Sequence, residues 1–180
     1  MDQADAEPEG APKKKKKKKK RSWKRMAIEV AVVALVFFGI RAWQQRDAPT
    51  GPAPALSAYD LSGAPVELGA SDEPVVVHFW ATWCGVCEAE NGTIDALADD
   101  HRVITIAAQS GPPSQVAAYL EERGLDFPVV NDPGSEITHR WGVHAFPTTF
   151  VVDGDGQIRS TEVGYTTGWG LRARLWLARL

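Results

Sequence analysis

The chain has 180 residues, with 20 lysines and arginines, 23 aspartates and glutamates, and two cysteines. This length suits one domain of ordinary size with appendages, and two cysteines are too few for a zinc site built from two cysteine pairs. Residues 1–47 contain 13 basic and 6 acidic side chains, whereas residues 48–180 contain 7 and 17, which gives +7 against −10. The composition therefore predicts two physically different parts joined in one chain.

The N-terminal part combines a basic tail with an apolar segment. Residues 1–25 contain eleven lysines and arginines, a composition that by itself fits a nucleic-acid-binding tail. The next residues favour a membrane segment instead. The run 26–40 is interrupted only by Glu29, and its extension to Trp43 gives 18 residues, near the lower limit for a helix that crosses a bilayer. We therefore predict a basic cytoplasmic tail over 1–25, a transmembrane signal-anchor over 26–43, and no nucleic-acid partner.

The charges that flank the apolar segment predict its orientation. Eleven positive charges precede it, and only Arg41 and Arg46 lie at or beyond its end, so the N-terminus is expected in the cytoplasm. Trp23 and Trp43 bracket the segment, as interfacial aromatic residues do. A cleaved secretory signal is the alternative, but no small-residue cleavage pattern follows the run directly. We expect a single-pass protein of the inner membrane, with its domain on the periplasmic, extracytoplasmic side.

The folded part is predicted to follow a short linker. Three prolines and a glycine between Asp47 and Pro54 exclude a helix or a central strand, so residues 44–55 are predicted as a linker and residues 56–180 as the domain. The elements expected in chain order are a hairpin over 56–69 turning at Ser62-Gly63, buried strands at 75–80 and 102–108, helices at 88–100 and 114–123, an edge strand at 127–130, a short helix at 135–141, a hairpin of 148–153 with 157–163, and a helix over 168–180. Strands that alternate with helices and end in a hairpin predict an α/β sandwich with a mixed sheet.

Single residues predict the ends and the inner faces of two helices. Ser114 is expected to cap the helix that begins there, because its hydroxyl can accept a free N–H group. Gly124 is expected to end the same helix. In the last helix, three leucines are expected to face the core in part: Leu171, Leu175 and Leu177.

The two cysteines, Cys84 and Cys87, stand two residues apart between the apolar strand 75–80 and the helix-like stretch that begins at Glu88. This order places Cys84 at a helix N-terminus, where exposed N–H groups favour a thiolate. A disulfide across so short a loop would constrain little of the unfolded chain. Two thiols at this spacing can instead exchange, one attacking a foreign disulfide and the other resolving the mixed disulfide. We therefore predict a redox-active pair, with a metal-carrying pair as the alternative.

Several segments of residues 56–178 resemble one protein family. The cysteines lie in the string Phe-Trp-Ala-Thr-Trp-Cys-Gly-Val-Cys over 79–87, and further matching segments are 124–132, 141–150 and 153–157. In these segments the chain resembles the membrane-anchored thioredoxin-fold proteins of the TlpA/ResA/DsbE group, most of all the ScsD-type disulfide oxidoreductases. The resemblance implies a thioredoxin-like three-layer sandwich, preceded here by one N-terminal transmembrane helix. It also implies an extracytoplasmic thiol–disulfide oxidoreductase that works on protein substrates without a cofactor.

The resemblance implies roles for the residues of the cysteine turn. Cys84 corresponds to the exposed attacking thiol and Cys87 to the buried resolving thiol. Trp83 shields the pair from one side. The dipeptide between the cysteines, Gly85-Val86, lacks the proline of the thioredoxin pair, and this difference shifts the reduction potential.

The resemblance also covers residues outside the turn. Pro147 falls where the family keeps a cis-proline, although most X–Pro bonds are trans, and the backbone of Phe146 would pair with a substrate strand. Glu90 matches a glutamate that is usual in the TlpA branch. His78 stands where cytoplasmic thioredoxins have a buried acid. It could accept the proton of the resolving thiol, since its ordinary pKa is about 6.5, or it could be a histidine satisfied within the sheet. Gly92 stands where the family often has a proline, so the resemblance does not predict whether this helix is kinked.

The charges near the cysteines favour one direction of electron flow. No lysine or arginine lies between Arg46 and Arg102, and Glu88 and Glu90 follow the cysteine turn. Nearby carboxylates oppose a thiolate at Cys84 and so disfavour the dithiol form. A reductase, of the type used in cytochrome c maturation or in copper and redox stress, is therefore favoured over a disulfide-forming oxidase.

His139 and His144 precede Pro147 closely and leave two alternatives open. If protonated, they would favour the thiolate and a more oxidising pair. With the cysteines, one of them could hold Cu(I), because thiolate and imidazole suit that ion, and the protein would then be a copper carrier. Solvated surface histidines are the simpler interpretation, and we assign no metal site. The expected partners are protein thiols and disulfides and a membrane redox partner.

Overall fold

The computed structural model describes residues 22–44, 49–69 and 73–180. Most of the basic tail predicted over 1–25 lies outside these residues. The chain divides into two compact units, of which the first ends at Ile40 and the second begins at Arg41. Helix α1 (Ser22–Gln44) includes the segment predicted as a membrane anchor. No helix in the described part of the chain combines the length and the hydropathy needed to cross a membrane, so the anchor is not confirmed.

The second unit is an α/β domain built on a mixed sheet. Its sheet has six strands in the order β1-β8-β7-β4-β5-β6; β4, β5 and β6 run parallel, whereas β7 is antiparallel to β4 and β8, and β1 is antiparallel to β8. Strands β2 and β3 form a separate hairpin. In chain order the elements are β1 (Gly51–Pro52), β2 (Ser57–Tyr59), β3 (Pro65–Glu67), β4 (Val75–Trp80), α2 (Gly85–Ala98), β5 (Val103–Ala108), α3 (Pro113–Arg123), β6 (Val129–Asp132), α4 (Glu136–Arg140), β7 (Thr148–Val152), β8 (Gln157–Val163) and α5 (Gly168–Leu177).

Two apolar clusters on opposite faces of the sheet make the three layers of the sandwich. Alternate side chains of a strand point to opposite faces, and β4 supplies both clusters because all six of its residues are buried. The cluster on the first face contains Val76, Trp80, Ile94, Leu97, Leu171 and Leu175, so helices α2 and α5 cover this face. The cluster on the second face contains Val77, Phe79, Ile137, Trp141 and Phe150, with Val66 and Leu68 packed against it, so α4 and the small hairpin cover that face.

The helices differ from the predictions in the start of α2, in the cap of α3 and in the burial of one leucine of α5. Helix α2 begins at Gly85, before the predicted start, and it continues through Gly92. Ser114 does not cap α3: the N-cap residue is Pro112 and no side chain accepts a hydrogen bond there. Gly124 ends α3 in the left-handed conformation, with φ 61°, as predicted. In α5, Leu171 and Leu175 are buried, whereas Leu177 is 58 % exposed, so the prediction that Leu177 faces the core is wrong.

The chain joins the sheet at β1, within the range 44–55 that was predicted as a linker. Gly51 and Pro52 pair with β8, and the N–H of Ala53 donates to the carbonyl of Gly156 at 2.8 Å. The prolines excluded a central strand correctly, since β1 is a two-residue strand at the sheet edge. Strand β6 lies at the other edge, as predicted, and begins at Val129.

A buried carboxylate fixes helix α4 to the sheet. Asp132, at the end of β6, is 4 % exposed. Its carboxylate accepts the N–H of Ile137 at 3.3 Å, the N–H of Thr138 at 2.9 Å and the hydroxyl of Thr138 at 2.7 Å. The N-cap residue of α4, Ser135, makes no side-chain capping bond, so Asp132 satisfies the first N–H groups of this helix in its place.

Replacing Asp132 should destabilise the domain. We expect Asp132→Ala to lower the free energy of unfolding by about 3 kcal/mol, because three buried donors lose a charged acceptor. Urea unfolding monitored by circular dichroism measures this change. Asp126→Ala is the matched control, since Asp126 is exposed and its replacement should change the free energy by less than about 0.5 kcal/mol. Equal effects of the two variants would contradict the capping role of Asp132.

Candidate active site

Helix α2 begins at the cysteine pair. Cys84 is its N-cap residue, with φ −91° and ψ 103°, and the Cys84 sulfur accepts the N–H of Cys87 at 3.2 Å. A disulfide bond joins the two residues, whose Cα atoms are 5.2 Å apart. Cys84 keeps 8 % of its surface exposed and Cys87 keeps none. A thiolate on Cys84 would face the N-terminal N–H groups of the helix, which stabilise negative charge.

The loop after β5 holds the turn that precedes the cysteines. The hydroxyl of Ser110 accepts the N–H of Thr82 at 3.0 Å and donates to the carbonyl of Ala108 at 2.9 Å. The carbonyl of Gln109 accepts the indole N–H of Trp83 at 3.1 Å. Gln109 has φ 50°, which is uncommon for a residue other than glycine. These contacts follow from the parallel pairing of β4 and β5, which brings the carboxyl ends of both strands to one edge of the sheet.

Trp83 and the loop before β7 form the surface beside the disulfide. Trp83 is 60 % exposed, and its ring packs edge-on against the ring of Phe146, with centroids 5.8 Å apart. The Phe146–Pro147 peptide bond is cis, as the resemblance predicts. Between the cysteines, Gly85 and Val86 are exposed. Among the described residues, none forms a hydrogen bond with the backbone N–H or carbonyl of Phe146, so both groups are available to another strand.

A cleft with a volume of about 370 Å³ opens beside Trp83 and Phe146. Gln109, His139 and His144 also line it, so the structure brings both histidines to one side of the site. Both histidines are exposed. Across residues 22–44, 49–69 and 73–180, no group of three or more histidine, cysteine, aspartate or glutamate side chains could hold a metal ion. The copper alternative therefore gains no support from the described residues.

The charge around the first turn of α2 differs from the sequence-based expectation. The N–H of Glu88 bonds the carbonyl of Cys84 at 3.0 Å, so Glu88 lies one turn from the disulfide. Its carboxylate accepts two N–H groups of Arg123, each at 3.3 Å, and this guanidinium lies 3.9 Å from the ring centre of Tyr119. Arg123 comes from α3 and is distant in sequence. No cation lies near the cysteines in the sequence, but Arg123 lies beside Glu88 in the folded domain. Arg123 therefore offsets part of the negative charge of Glu88.

Glu90 is a buried carboxyl group on the helix that carries the cysteines. It lies three residues after Cys87, on the same side of α2, and both side chains are fully buried. One oxygen of Glu90 accepts the N–H of Thr166 at 3.1 Å, and the other has no hydrogen-bond partner among the described residues. Burial raises the pKa of Glu90 to about 7, and the bond from Thr166 offsets only part of this change. Glu90 can therefore exchange a proton near neutral pH.

His78 is buried in the middle of the sheet. Its Nδ1 lies 2.9 Å from the hydroxyl of Thr149, and its Nε2 has no partner within the described part of the chain. Burial lowers the pKa of His78 to about 3. The imidazole is therefore neutral near pH 7 and is a poor proton acceptor. This geometry favours a histidine held within the sheet, and between His78 and Glu90 the carboxyl group is better suited to proton transfer.

Sequence reasoning identified the cysteine turn and its proline but missed three residues of the site. Gln109 and Ser110 hold the turn, and Arg123 pairs with Glu88. The ends of two parallel strands meet at one sheet edge, so the end of the second buried strand could have indicated the loop containing Gln109 and Ser110. No local signal in the sequence indicates the pairing of Arg123.

An accessible cysteine at a helix start, joined to an enclosed cysteine and flanked by a cis-proline loop, defines a thioredoxin-fold thiol–disulfide oxidoreductase. Comparison with known proteins agrees. The family model described as Redoxin matches residues 48–170, and the chain belongs to this family.

Comparison with individual relatives identifies the type of thiol–disulfide oxidoreductase. The chain is 34 % identical over 126 residues to a thioredoxin-like protein of Haemophilus influenzae, covering 68 % of this chain and 75 % of that protein. It is 32 % identical over 120 residues to the thiol-disulfide oxidoreductase ResA of Bacillus thuringiensis, covering 64 % and 69 %. The crystal structure of StoA from Bacillus subtilis has the same fold, with a TM-score of 0.62, 22 % identity and coverage of 70 % and 98 %. The chain is thus a thiol–disulfide oxidoreductase of the DsbE/ResA type.

The raised pKa of Glu90 makes folding stability depend on pH. Between the ordinary pKa of 4.5 and the folded value of about 7, the folded protein binds more protons at this site than the unfolded chain. The contribution of Glu90 to the free energy of unfolding therefore falls as pH rises through this window. The lowered pKa of His78 has the opposite effect on the free energy of unfolding. Between about pH 3 and pH 6.5, the unfolded chain binds more protons at this site than the folded protein, so this contribution rises with pH.

The variant Glu90→Gln removes the pH dependence that Glu90 causes and keeps the one that His78 causes. Between about pH 5 and about pH 8, the free energy of unfolding of the wild type should fall by about 1–3 kcal/mol relative to that of the variant. Urea unfolding across this pH range measures the difference. Glu88→Gln is the control, because Glu88 is an exposed acid of the same helix and its replacement leaves the buried carboxyl group of Glu90 in place. A parallel profile for Glu90→Gln would contradict the raised pKa.

Proposed function

We propose that this protein is an extracytoplasmic, membrane-tethered reductase of protein disulfides. The observation that carries the proposal is the unequal burial of the two joined cysteines, Cys84 with 8 % exposure and Cys87 with none. A foreign disulfide can approach only the first sulfur. The second lies in the protein interior on the same helix side as Glu90. This asymmetry fits a division into an attacking thiol and a resolving thiol.

The exchange proceeds in two steps from the reduced pair. The Cys84 thiolate attacks one sulfur of a substrate disulfide, forms a mixed disulfide, and displaces the second substrate sulfur as a thiolate. Cys87 then gives its proton to the Glu90 carboxylate and attacks the sulfur of Cys84, which releases the first substrate sulfur as a thiolate. Two electrons pass to the substrate and the Cys84–Cys87 disulfide forms. A membrane redox partner returns two electrons to the pair.

The surface around the disulfide supports binding of an extended substrate segment. The unpaired backbone groups of Phe146 can accept one strand of the substrate in the manner of an added β-strand. The cleft lined by Trp83, His139 and His144 then lies beside that strand, where a substrate side chain would enter. Trp83 is an exposed aromatic at this position, a residue type that contributes much of the binding energy at interfaces.

The direction of electron flow rests on the charges near Cys84. Glu88 lies in the first turn of α2, and a carboxylate at this position opposes a thiolate on Cys84. Arg123 offsets part of this effect through its bonds to Glu88. A reductase is favoured because Glu90, a buried acid of the same helix, also disfavours a thiolate on the cysteine pair. The alternative is an oxidase that forms disulfides in its substrate proteins.

The location rests on the N-terminal sequence. The apolar run 26–40, its extension to Trp43 and the eleven positive charges that precede it support a signal-anchor with the domain outside the cytoplasm. An extracytoplasmic site also suits the chemistry, because disulfides persist in oxidising compartments.

The reduction potential tests the direction of transfer. We expect a value nearer that of thioredoxin, about −270 mV, than that of DsbA, about −120 mV. Glu88→Gln should make the pair more oxidising, and Arg123→Gln should make it more reducing, because each change leaves one charge of the ion pair beside Cys84. Each shift should be tens of millivolts at most, since the pair is partly exposed. Equilibration with a glutathione buffer measures all three proteins. A wild-type value near that of DsbA, with no shift in either variant, would instead support an oxidase.

Trapping tests the roles of the two thiols. The variant Cys87→Ser should accumulate mixed disulfides with substrate proteins through Cys84, because the resolving thiol is missing. The matched variant Cys84→Ser should accumulate none, since Cys87 is enclosed. Non-reducing electrophoresis followed by mass spectrometry identifies the trapped proteins. Equal trapping by both variants would remove the assignment of Cys84 as the nucleophile.

A further inference from the structure

The exposed large apolar residues of the folded unit cluster at its C-terminal end. Among the described residues of this unit, eight large apolar side chains are exposed, and five of them fall within residues 165–180: Tyr165, Trp169, Trp176, Leu177 and Leu180. Trp83 and Val86 belong to the active site, and Tyr59 lies on the small hairpin. Trp169 is 86 % exposed and Leu180 is 89 % exposed. Exposed apolar clusters of this kind mark interaction surfaces.

Part of this cluster forms a stripe along α5 and at its C-terminal end. Trp169, Ala173 and Trp176 follow at spacings of four and three, which places them on one side of the helix, and Leu180 lies three residues beyond the end of α5. The opposite side, with Leu171 and Leu175, is buried in the domain core against α2 and the sheet. We call the exposed side, with Leu177 at its border, the outer stripe. Helix α5 is therefore apolar on both sides, although only one side packs against the protein.

The charged residues of the segment that carries the outer stripe are all basic. Residues 168–180 contain three arginines and no acid, whereas residues 48–167 contain four basic and 17 acidic side chains. Helical spacing places Arg172 along one border of the stripe and Arg174 along the other, and Arg179 follows the end of α5. Arg172 also bonds Asp100 at 2.8 Å, and Arg174 bonds Glu162 at 2.6 Å. The outer stripe therefore has basic residues at its margins, within a part of the sequence, residues 48–180, that is otherwise strongly acidic.

We propose that the outer stripe of α5 lies in the interfacial region of a lipid bilayer that contains anionic lipids. Tryptophan is enriched at the membrane–water interface. A helix with tryptophan and leucine on one side and arginine at the borders lies in the plane of that interface, and the arginines extend towards the headgroups. The acidic remainder of the domain is repelled by the same anionic surface, so contact is restricted to α5.

The choice of a lipid surface rests in part on the proposed function, because the predicted anchor keeps the domain near a bilayer. Seven residues separate the segment 26–43 from β1, and an extended chain of that length spans at most about 25 Å. Helix α5 packs against α2, whose N-cap residue is Cys84. Contact of the outer stripe with lipid would therefore fix the orientation of the cysteine turn relative to the membrane.

Site-specific photocrosslinking of the full chain tests this proposal. The protein is reconstituted in vesicles of phosphatidylcholine and phosphatidylglycerol, with p-benzoylphenylalanine at position 169 or 176. We expect lipid adducts at both positions, detected by mass spectrometry of the peptide, and a loss of yield in vesicles of phosphatidylcholine alone. Position 59 is the matched control, because Tyr59 is an aromatic residue with 72 % exposure on the small hairpin, and it should form no adduct.

Extraction with alkaline carbonate separates failure of this proposal from failure of the proposed anchor. If the chain stays with the vesicles but positions 169 and 176 form no lipid adduct, the surface contact is overturned and the anchor stands. If adducts form and carbonate releases the chain, the surface contact stands and the anchor falls. Adducts only to a second protein, in native membranes, would replace the lipid surface with a protein partner and overturn the proposal.

Discussion

The parallel pairing of β4 with β5 is the constraint on which the active site depends. It brings the ends of two buried strands to one edge of the sheet, so the turn before Cys84 lies beside the loop after β5. Two hydrogen bonds then join the segments, from Thr82 to Ser110 and from Trp83 to Gln109. Without this arrangement, Cys84 would still cap a helix, but only the ring contact with Phe146 would hold Trp83 beside the disulfide. The apolar strands thus determine the position of residues that do not themselves belong to the core.

Among the described residues, two of the buried side chains that have a polar atom without a hydrogen-bond partner are ionisable. His78 and Glu90 are both fully buried, and each has one ring nitrogen or carboxyl oxygen without a partner among the described residues. Leaving a buried polar atom unpaired costs about 1–3 kcal/mol. Selection for stability alone would favour apolar residues at both positions. A carboxyl group whose pKa lies near 7 fits the proton exchange with Cys87 that we propose for the reaction.

Local patterns predicted the features that depend on neighbouring residues. The apolar run 75–80, the cysteine spacing and the stop at Gly124 all have the expected structure. Contacts between distant segments were not predictable in the same way. Arg123 reaches Glu88 across 35 positions of sequence, and Pro52 joins a sheet edge that forms only in the folded chain. Residues 175 and 177 are both leucine, and the orientation of α5 against the core determines which of the two is buried.

The pairing of β1 with β8 limits where the domain could be released by proteolysis. Gly51 and Pro52 cover the outer edge of β8, and the hydroxyl of Thr161 in that strand donates to the carbonyl of Pro49 at 2.9 Å. A cut after Pro52 would remove the covering strand and expose unpaired N–H and carbonyl groups along β8. Exposed strand edges template aggregation with other chains. A soluble form of the domain would therefore stay dispersed only if the cleavage site lay before Pro49.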